Sequence, residues 1–517
     1  MELNPFRQTN KHEMQTHPWD AAALRDRLFS QEPRLIEAAN RLATIIRSVP
    51  HDPKYPNVQP RALIVGGFVR DAILGGHPKD IDLEVYGISP QRLEDLLNQL
   101  YPNLVNTVGR SFGILKIHLG DDVEFDVSIP RRESQTGPAH TDVQIEGDPG
   151  MSIRDAARRR DFTINALAAD PLTGEVVDEF GGLQDLAERR LRVTDPERFQ
   201  DDALRVYRAI QFVGRMGLKV DPTSKALMQR MVAEGKLDHL SRDRVTEELK
   251  KLLLKSERPS TGLAFAREIG VIKRYFPELH ALVDLEQEPE WHPEGDAWTH
   301  TLMVVDQAAK IAKNPDRKFS DLEKLKVIFA SLCHDLGKAT TTKTIDKRVR
   351  SIGHEEAGEA PTRAMCARLT LPDDVVRAAV SIAQEHLKPA TFFRDHEKGT
   401  MDDRSCANAI RKLLKRIHPT SWRVLIAASE ADSRGRGFPD AAIKPYEAGR
   451  FFTSFIEKNR LDVEPTKPLV QGRDLLELGM KPGNQMGIIV KKIESLRDEG
   501  TISTREEALA EAKRLIS

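Results

Sequence analysis

The sequence predicts an α+β fold, a mixed head followed by helical segments. Three observations carry that expectation. Between Arg61 and about Leu119 short apolar runs alternate with helical patterns. Beyond "RRRDFTINALA" the apolar spacing becomes helical and stays so. The length, 517 residues, allows several domains at about 100–200 residues each. Hydrophobic residues make up 39% and charged residues 30%, an ordinary balance for a globular protein in water. The net charge of −1 excludes a nucleic-acid surface spread over the whole chain and leaves only local basic patches. Cys333, Cys366 and Cys406 follow no metal-ligand or disulfide spacing, which fits a reducing, cytoplasmic setting. No apolar run approaches the roughly 18 residues a bilayer span needs, so no membrane partner is expected. No oligomeric state is read from the sequence.

Residues 1–60 read as a polar extension around one amphipathic helix, about Pro18 to Arg47, closed by the Pro-rich linker "VPHDPKYPNVQP". Residues 61–165 follow as strand "RALIVGG", helix "FVRDAILGG", strand "DIDLEVYG", helix "SPQRLEDLLNQL" and strand "ILKIHL", with "DVEFDVSI" as a further strand. The polar stretch "RRESQTGPAHTDVQIEGDPG" has no periodicity and is expected to be a mobile loop. Residues 166–290 are helical, 291–437 form a second helical block with most of the histidines, and 438–517 are a charged helical tail. There is no internal repeat.

The stretch "LIVGGFVRDAILGGHPKDIDLEV", residues 63–85, joins an apolar strand to a helix through Gly66 and Gly67. Bare backbone N–H groups at a helix start suit a phosphate, although glycine pairs at strand ends are usually plain turns. Asp80 and Asp82 sharpen the reading. Residues i and i+2 share one strand face, so the two carboxylates point at one spot and repel unless a cation lies between them. Divalent metal ions with a triphosphate suit that spot. A third acid on a neighbouring strand would complete a two-metal site, and "VEFDVS" offers Asp126, or Glu124 on the same face. A solvated strand edge would explain an isolated pair of acids. It does not explain the glycines upstream and the acid downstream.

These stretches, with "RRRDFTINALA", "DEFGGLQDL", "DDALRVYRAIQFVGRMG" and "SRDRVTEELKKLL" in the same order, resemble the class II tRNA nucleotidyltransferase and poly(A) polymerase family, over Arg61 to about Leu254. The resemblance implies a polymerase-beta-like nucleotidyltransferase head over 61–165 and an all-α neck over 166–290 that selects the nucleotide. It implies that Asp80 and Asp82, with Asp126, hold Mg²⁺ on the incoming triphosphate and the RNA 3′-hydroxyl. Gly66, Gly67 and Arg70 match the phosphate-binding stretch, with Arg110 of "VGRSFG" a candidate for the triphosphate. Arg160 and Asp161 end the "RRD" motif. A carboxylate there can accept from a ribose 2′-hydroxyl, and a helix-capping role is the plainer alternative. Asp202 and Arg205, at i,i+3, are expected on one helix face, with Arg208 a further nucleotide contact. The carboxylate suits the exocyclic amines of cytosine and adenine and meets the oxo groups of uracil and guanine acceptor to acceptor. An ordinary surface ion pair is the alternative. The family's "EDxxR" stands here as Asp201-Asp202-Ala203-Leu204-Arg205, so a shorter first acid supports the base-reading pair.

Further along, "HPEGDAWTHT", "LCHDLGK", "GHEEAG", "AQEHLKP" and "ASEADSRGRG" place His300, His334, Asp335, His354, His386 and Asp432 on successive helices. Imidazoles and carboxylates in this order can close around a divalent metal. A lone histidine on such a helix is most often a core residue. The stretch resembles the HD-domain phosphohydrolases, closely the HD domain of some bacterial CCA-adding enzymes. The resemblance implies 2′,3′-cyclic phosphodiesterase and phosphatase activity. It further implies that His300, His334, Asp335 and Asp432 hold a transition metal such as Ni²⁺, Mn²⁺ or Co²⁺, while His354 and His386 hold phosphate or a second ion.

The expected function is template-independent building or repair of the tRNA 3′ CCA end from CTP and ATP, with an HD phosphohydrolase activity attached. An A-adding specialist or poly(A) polymerase of the same family shares the motifs. An HD-type nucleotide hydrolase of the alarmone kind carries its HD domain first, whereas here it follows. The tRNA expectation rests on the family, because "AARRR", "RDRVTEELKKLLLKSERP" and "RKLLKRIHP" read equally as solvated helix faces.

Overall fold

The computed structural model describes residues 20–31, 33–78, 80–106, 114–118, 124–135, 143–461, 469–498, 501–502 and 504–516. The chain divides into two compact units, Met1–Glu248 with Glu268–Val271, and Leu249–Arg267 with Ile272–Ser517.

In the first unit the expected single N-terminal helix is two, Ala21–Phe29 and Pro33–Ser48. Pro33 has no N–H to donate and its ring blocks the preceding turn, so it starts a helix and cannot continue one. The second helix buries Leu35, Ile36, Ala39, Leu42, Ala43 and Ile46, a stripe at helical spacing, and packs on the first strand.

The strands run β1 Arg61–Val65, β2 Ile81–Tyr86, β3 Val105–Asn106, β4 Ile114–His118, β5 Glu124–Ser128, β6 Arg131–Gln135, β7 Val143–Gly147, β8 Ala168–Ala169 and β9 Val176–Val177. Among the described residues seven of them form one sheet in the order β3-β4-β5-β2-β1-β8-β9. Within that sheet only the central β2–β5 pairing is parallel. Ile81 and Leu83 turn into the core at 1% and 0% exposure, which sends Asp82 between them to the opposite face.

Part of the expected loop is a hairpin. β6 and β7 pair antiparallel from Arg131 opposite Gly147 to Gln135 opposite Val143. "RRESQ" has no apolar alternation, and the alternation of "VQIEG" is too short beside the polar, glycine-bearing stretch to mark a strand by itself. Helix Leu204–Met216 buries Val206, Ala209, Ile210, Phe212 and Val213, with Phe212 edge-on to Phe162.

The second unit is built around helices Ala297–Lys313, Asp321–Cys333, Asp373–Glu385, Asp403–Ile417 and Trp422–Arg434. Small residues at the contacts, among them Ala308, Ala330, Ala379 and Ala427, are fully buried and let the backbones approach closely around Phe329. The free cysteines Cys333, Cys366 and Cys406 are buried, and burial pushes the thiols of Cys366 and Cys406 up to about 11. A hairpin that periodicity did not signal, Lys343–Ile345 with Arg348–Arg350, interrupts the helices. The tail holds its own small core of Val470, Leu475, Ile489, Ile493, Ile502, Ala508 and Ala512. Among the described residues no helix is long and apolar enough to cross a membrane.

Candidate active sites

In the head, β2 and β5 lie side by side with Asp82 directly opposite Asp126. Neighbouring strands stand about 4.8 Å apart, so the two carboxylates emerge as close neighbours. Asp80 precedes β2 and is exposed, as is Asp82. The Lys116 ammonium on β4 lies 3.2 Å from Asp126 Oδ1, a protein cation beside the acid. Partial loss of water around Asp82 raises its pKa; Asp126 and Asp80 add to this, while Arg160 and Lys116 oppose it. The three carboxylates do not close to mutual ligand distance as the histidine cluster of the second unit does. All three donors are hard carboxylate oxygens, which suit Mg²⁺.

Gly66 sits at φ +73, where a side chain is strained, and ends β1 against this group. A methyl there would stand 3.1 Å from Arg160 Nη1 and 3.8 Å from Asp82 Oδ2. Arg160 in turn lies 3.6 Å from the buried Glu84, which also accepts from the Tyr86 hydroxyl at 2.6 Å. Arg70 differs from expectation. It is 5% exposed, bonded to Asp71 at 2.7 and 2.8 Å and to Asn165 at 2.5 Å, and stacked 5.0 Å from the Phe212 ring centre. Its guanidinium anchors the glycine turn to the motif that follows.

Asp161 is buried at the centre of that motif. Oδ1 accepts from its neighbour's N–H and from Asn165 Nδ2, both at 2.9 Å, and Oδ2 from Arg208 Nε at 2.7 Å. Burial would raise its pKa, but the Arg208 charge and these bonds outweigh burial and hold it low. Asp161 is therefore a buried acid held by the half-buried Arg208.

Helix Leu204–Met216 begins two residues after Asp202, so Asp202 and Arg205 do not share a helix face. Asp202 Oδ1 accepts from the Leu204 N–H at 2.9 Å, a local turn contact just before the helix. Its Oδ2 accepts from Arg244 at 2.8 Å. Arg205 donates instead to the Arg198 and Arg159 carbonyls at 2.5 and 2.7 Å. The two side chains are held separately, by different elements, and are not an ion pair with each other. Arg110 and the side chain of Glu124 lie outside the described residues.

In the second unit six ligand-type side chains converge. His300 stands in helix Ala297–Lys313 and Asp432 in Trp422–Arg434. His334, Asp335 and His386 sit just past helix C-termini rather than within helices, and His354 opens the short helix His354–Ala357. Helix ends free the backbone to turn these side chains inward. His300 Nε2 is 3.1 Å from Asp432 Oδ1 and 3.6 Å from Asp335 Oδ2. His334 Nε2 is 3.1 Å from Asp335 Oδ2. On its other oxygen Asp335 faces His354 Nε2 at 3.4 Å and His386 Nε2 at 4.0 Å. Two groups, His300-His334-Asp335 and Asp335-His354-His386, thus share Asp335.

Asp335 Oδ1 and His354 Nε2 are buried without a hydrogen bond. Lys338 Nζ lies 2.7 Å from Asp335 as an ion pair. Burying such groups unbonded is costly, and a divalent ion would satisfy all of them. Backbone carbonyls take the far nitrogens, Ser331 for His334 and Ser351 for His354, each at 2.8 Å, which aims Nε2 into the cluster. Burial first, then the His334 charge, holds His386 down at about 4, so its lone pair is available at neutral pH. Burial would raise Asp335 and Asp432, but His334 and Lys338 around the one, His300 and Arg436 around the other, keep both ionised. The cluster opens into a cavity of about 230 Å³ whose walls include Trp291, Lys338 and Arg436.

The sequence profile of the "Poly A polymerase head domain" matches residues 62–192, that of the "Probable RNA and SrmB- binding site of polymerase A" residues 217–283, and that of the "HD domain" residues 297–413. A Stenotrophomonas maltophilia protein named "Multifunctional CCA protein" is 36% identical over 382 residues, 73% of this chain and 87% of its own length. The chain belongs to the multifunctional CCA protein family. Its namesake from Pasteurella multocida is 35% identical over 380 residues, 72% and 83% of the two lengths. Solved structures share the fold of this multifunctional CCA family member. Thermotoga maritima CCA-adding enzyme complexed with tRNA matches 96% of this chain and 99% of its own, at TM-score 0.54 and 20% identity. An apo form of a CCA-adding enzyme matches 95% and 98%, at 0.58 and 21%. The chain is an enzyme, a nucleotidyltransferase.

Several residues of this family member escaped the sequence reading. Glu294 accepts from His300 Nδ1 at 2.8 Å, from His292 at 2.9 Å and from the Gly437 N–H at 2.8 Å. Its sign in the sequence is an acid six residues before a histidine, which no periodicity distinguishes. Arg244 and Lys116 carry no local signal either, because only folding sets them beside Asp202 and Asp126.

Proposed function

We propose that this multifunctional CCA family member builds or repairs the 3′-terminal CCA of tRNA in the cytoplasm, from CTP and ATP and without a nucleic-acid template. We assign a second, phosphoester-hydrolysing activity to the HD cluster. The observation that carries the reading is one chain holding two intact acid sites, aligned over most of its length with relatives named multifunctional CCA proteins. Residues 61–165 serve as the catalytic head, 166–290 as the neck, 291–437 as the HD domain and 438–517 as the tail.

In the head, Asp80, Asp82 and Asp126 would hold Mg²⁺, which supplies charge neutralisation on the triphosphate and on the attacking oxygen. The RNA 3′-oxygen forms a bond to the α-phosphorus, the bond to the leaving pyrophosphate breaks, and the hydroxyl proton passes to solvent or a carboxylate. Arg160 balances the acids from the Gly66 side. Gly67 leaves room for the triphosphate to approach the backbone. Asp202, held by Arg244, accepts from the exocyclic amine of cytosine or adenine. Arg205, with only two of its five N–H groups in the backbone bonds described, donates to the same base. Asp161 and Arg208 hold the turn that carries Arg160.

In the second unit His300, His334, Asp335 and Asp432, with His354 and His386, would hold a transition metal such as Ni²⁺, Mn²⁺ or Co²⁺, which lowers the pKa of bound water. Water adds to phosphorus, one ribose P–O bond of a 2′,3′-cyclic ester breaks, and the released oxygen takes the proton. Lys338 donates to a phosphoryl oxygen.

The deciding experiment offers the pure protein tRNAs ending at the discriminator base, at C and at CC, with single nucleoside triphosphates. Stepwise C, C and A addition is expected. Addition of A alone to the CC substrate, or long A tracts, would instead assign an A-adding enzyme or a poly(A) polymerase.

A further inference from the structure

The HD cavity has a charged rim that hydrolysis of a small ester does not need. The hairpin Lys343–Ile345 with Arg348–Arg350 stands beside the cavity, with Val349 and Ser351 in its wall. The hairpin carries Lys343, Lys347, Arg348 and Arg350 against the single acid Asp346, and all five are exposed. Lys343 pairs directly with Arg350, and Arg348 lies on the same face two residues before Arg350. Val349 turns to the cavity side. Like charges directly opposite on a two-stranded ribbon repel, and an anion on that face relieves the repulsion.

The ribbon is firmly mounted. The Val349 N–H donates to Glu288 at 3.0 Å, Arg348 pairs with Glu290 at 3.1 Å, and the Thr342 and Ser351 hydroxyls bond at 2.8 Å. Trp291 also lines the cavity and is 53% exposed, a large apolar ring left in water at the mouth of a polar site. One phosphate inside the cavity already has Lys338 and Arg436. The three further cations outside it, Lys343, Lys347 and Arg350, suit a chain of phosphates leading in, and the ring suits a base stacked on its face. Stacking is indifferent to base identity because every base has a π-face.

We propose that the HD cavity takes the 3′ end of single-stranded RNA rather than a free nucleotide, with the outer face of the 343–350 hairpin holding backbone phosphates and Trp291 stacking the terminal base. This rests on the phosphoesterase reading of the cavity. Full-length protein with Mn²⁺ would be assayed on 2′,3′-cyclic AMP and on an unstructured RNA hexamer ending in a 2′,3′-cyclic phosphate. Lys347→Ala with Arg350→Ala should raise KM for the hexamer about tenfold and lower the slope of its log KM against log salt by about 1.4, because counterion release at two contacts is lost. The small ester should be hydrolysed as by wild type, and the charge-keeping pair Lys347→Arg with Arg350→Lys should restore the hexamer. Trp291→Ala should raise KM for both substrates. An unchanged hexamer KM, or equal losses on both substrates in the double variant, would overturn the proposal.

A second readout is independent of hydrolysis. The hexamer carrying 4-thiouridine at its 3′ end, irradiated with wild-type protein, should crosslink to peptides holding Trp291 or residues 343–351, and the double alanine variant should lose those crosslinks. Crosslinks only elsewhere overturn the surface. Crosslinks there in a protein that hydrolyses no phosphoester overturn the hydrolase reading and leave the RNA surface standing.

Discussion

Asp161 shows how a residue in a catalytic motif acts through its neighbours. Its carboxylate is buried and filled by Asn165, Arg208 and a backbone N–H. Its folded pKa lies below the ordinary 3.8, so the stability it contributes is fully present above 3.8 and is lost as pH falls through the depressed value. Asp161→Asn should therefore cost about 2 kcal/mol in urea unfolding at neutral pH, with the gap closing in acid. At Asp202 the outcome is chemical. Asp202→Ala should raise misincorporation of UTP and GTP by about tenfold in single-nucleotide assays, the size of one lost bidentate reading. Glu294 holds the imidazole of His300 by Nδ1, so Glu294→Gln should weaken Mn²⁺ or Ni²⁺ binding about 10–100-fold in calorimetry. The residue types were legible in the sequence. Their partners were not, because Arg244, Lys116 and Glu294 reach their sites from elements that only folding brings near.

Between elements, the decisive contacts are backbone to backbone. Gly337 follows His334-Asp335 and passes so close to the next helix that an added Cβ would stand 2.0 Å from the His354 carbonyl oxygen and 2.6 Å from the Gly358 nitrogen. Neither can yield as a flexible side chain would. Gly337→Ala should push helix His354–Ala357 away, separate His354 from Asp335 and abolish phosphoester hydrolysis, while nucleotide addition continues on the same preparation. Equal hydrolysis in the variant would mean that the His354 side is not needed. The strand–helix alternation of the head and the long helices of the HD block could be read from period, because their apolar faces are buried. The hairpin 343–350 could not, since a two-stranded ribbon exposed on its face needs no apolar alternation, and in 131–147 the polar run hides the pairing. The helix break at Pro33 carried a visible signal that the longer amphipathic pattern obscured.

Across the whole molecule, the acid cluster of the head and the His/Asp cluster share no residue and fall in different compact units. Asp82→Ala should abolish nucleotide addition and leave hydrolysis of 2′,3′-cyclic AMP intact; His334→Ala should do the reverse. Loss of both activities in either folded variant would show that the units are coupled. The sequence by itself determined the fold class, the family and the order of the motifs, because each motif is a local run whose spacing fixes which side chains share a face. It also named the His and Asp side chains that the structure brings together in the second unit, since a motif is recognised by residue type and order. Tertiary structure alone decided how those groups are joined: Asp335 lies between two imidazole groups, Arg70 is an internal anchor, and Asp202 and Arg205 are held apart. Such pairings depend on distances between residues tens of positions apart, and those distances are set by packing rather than by any local period.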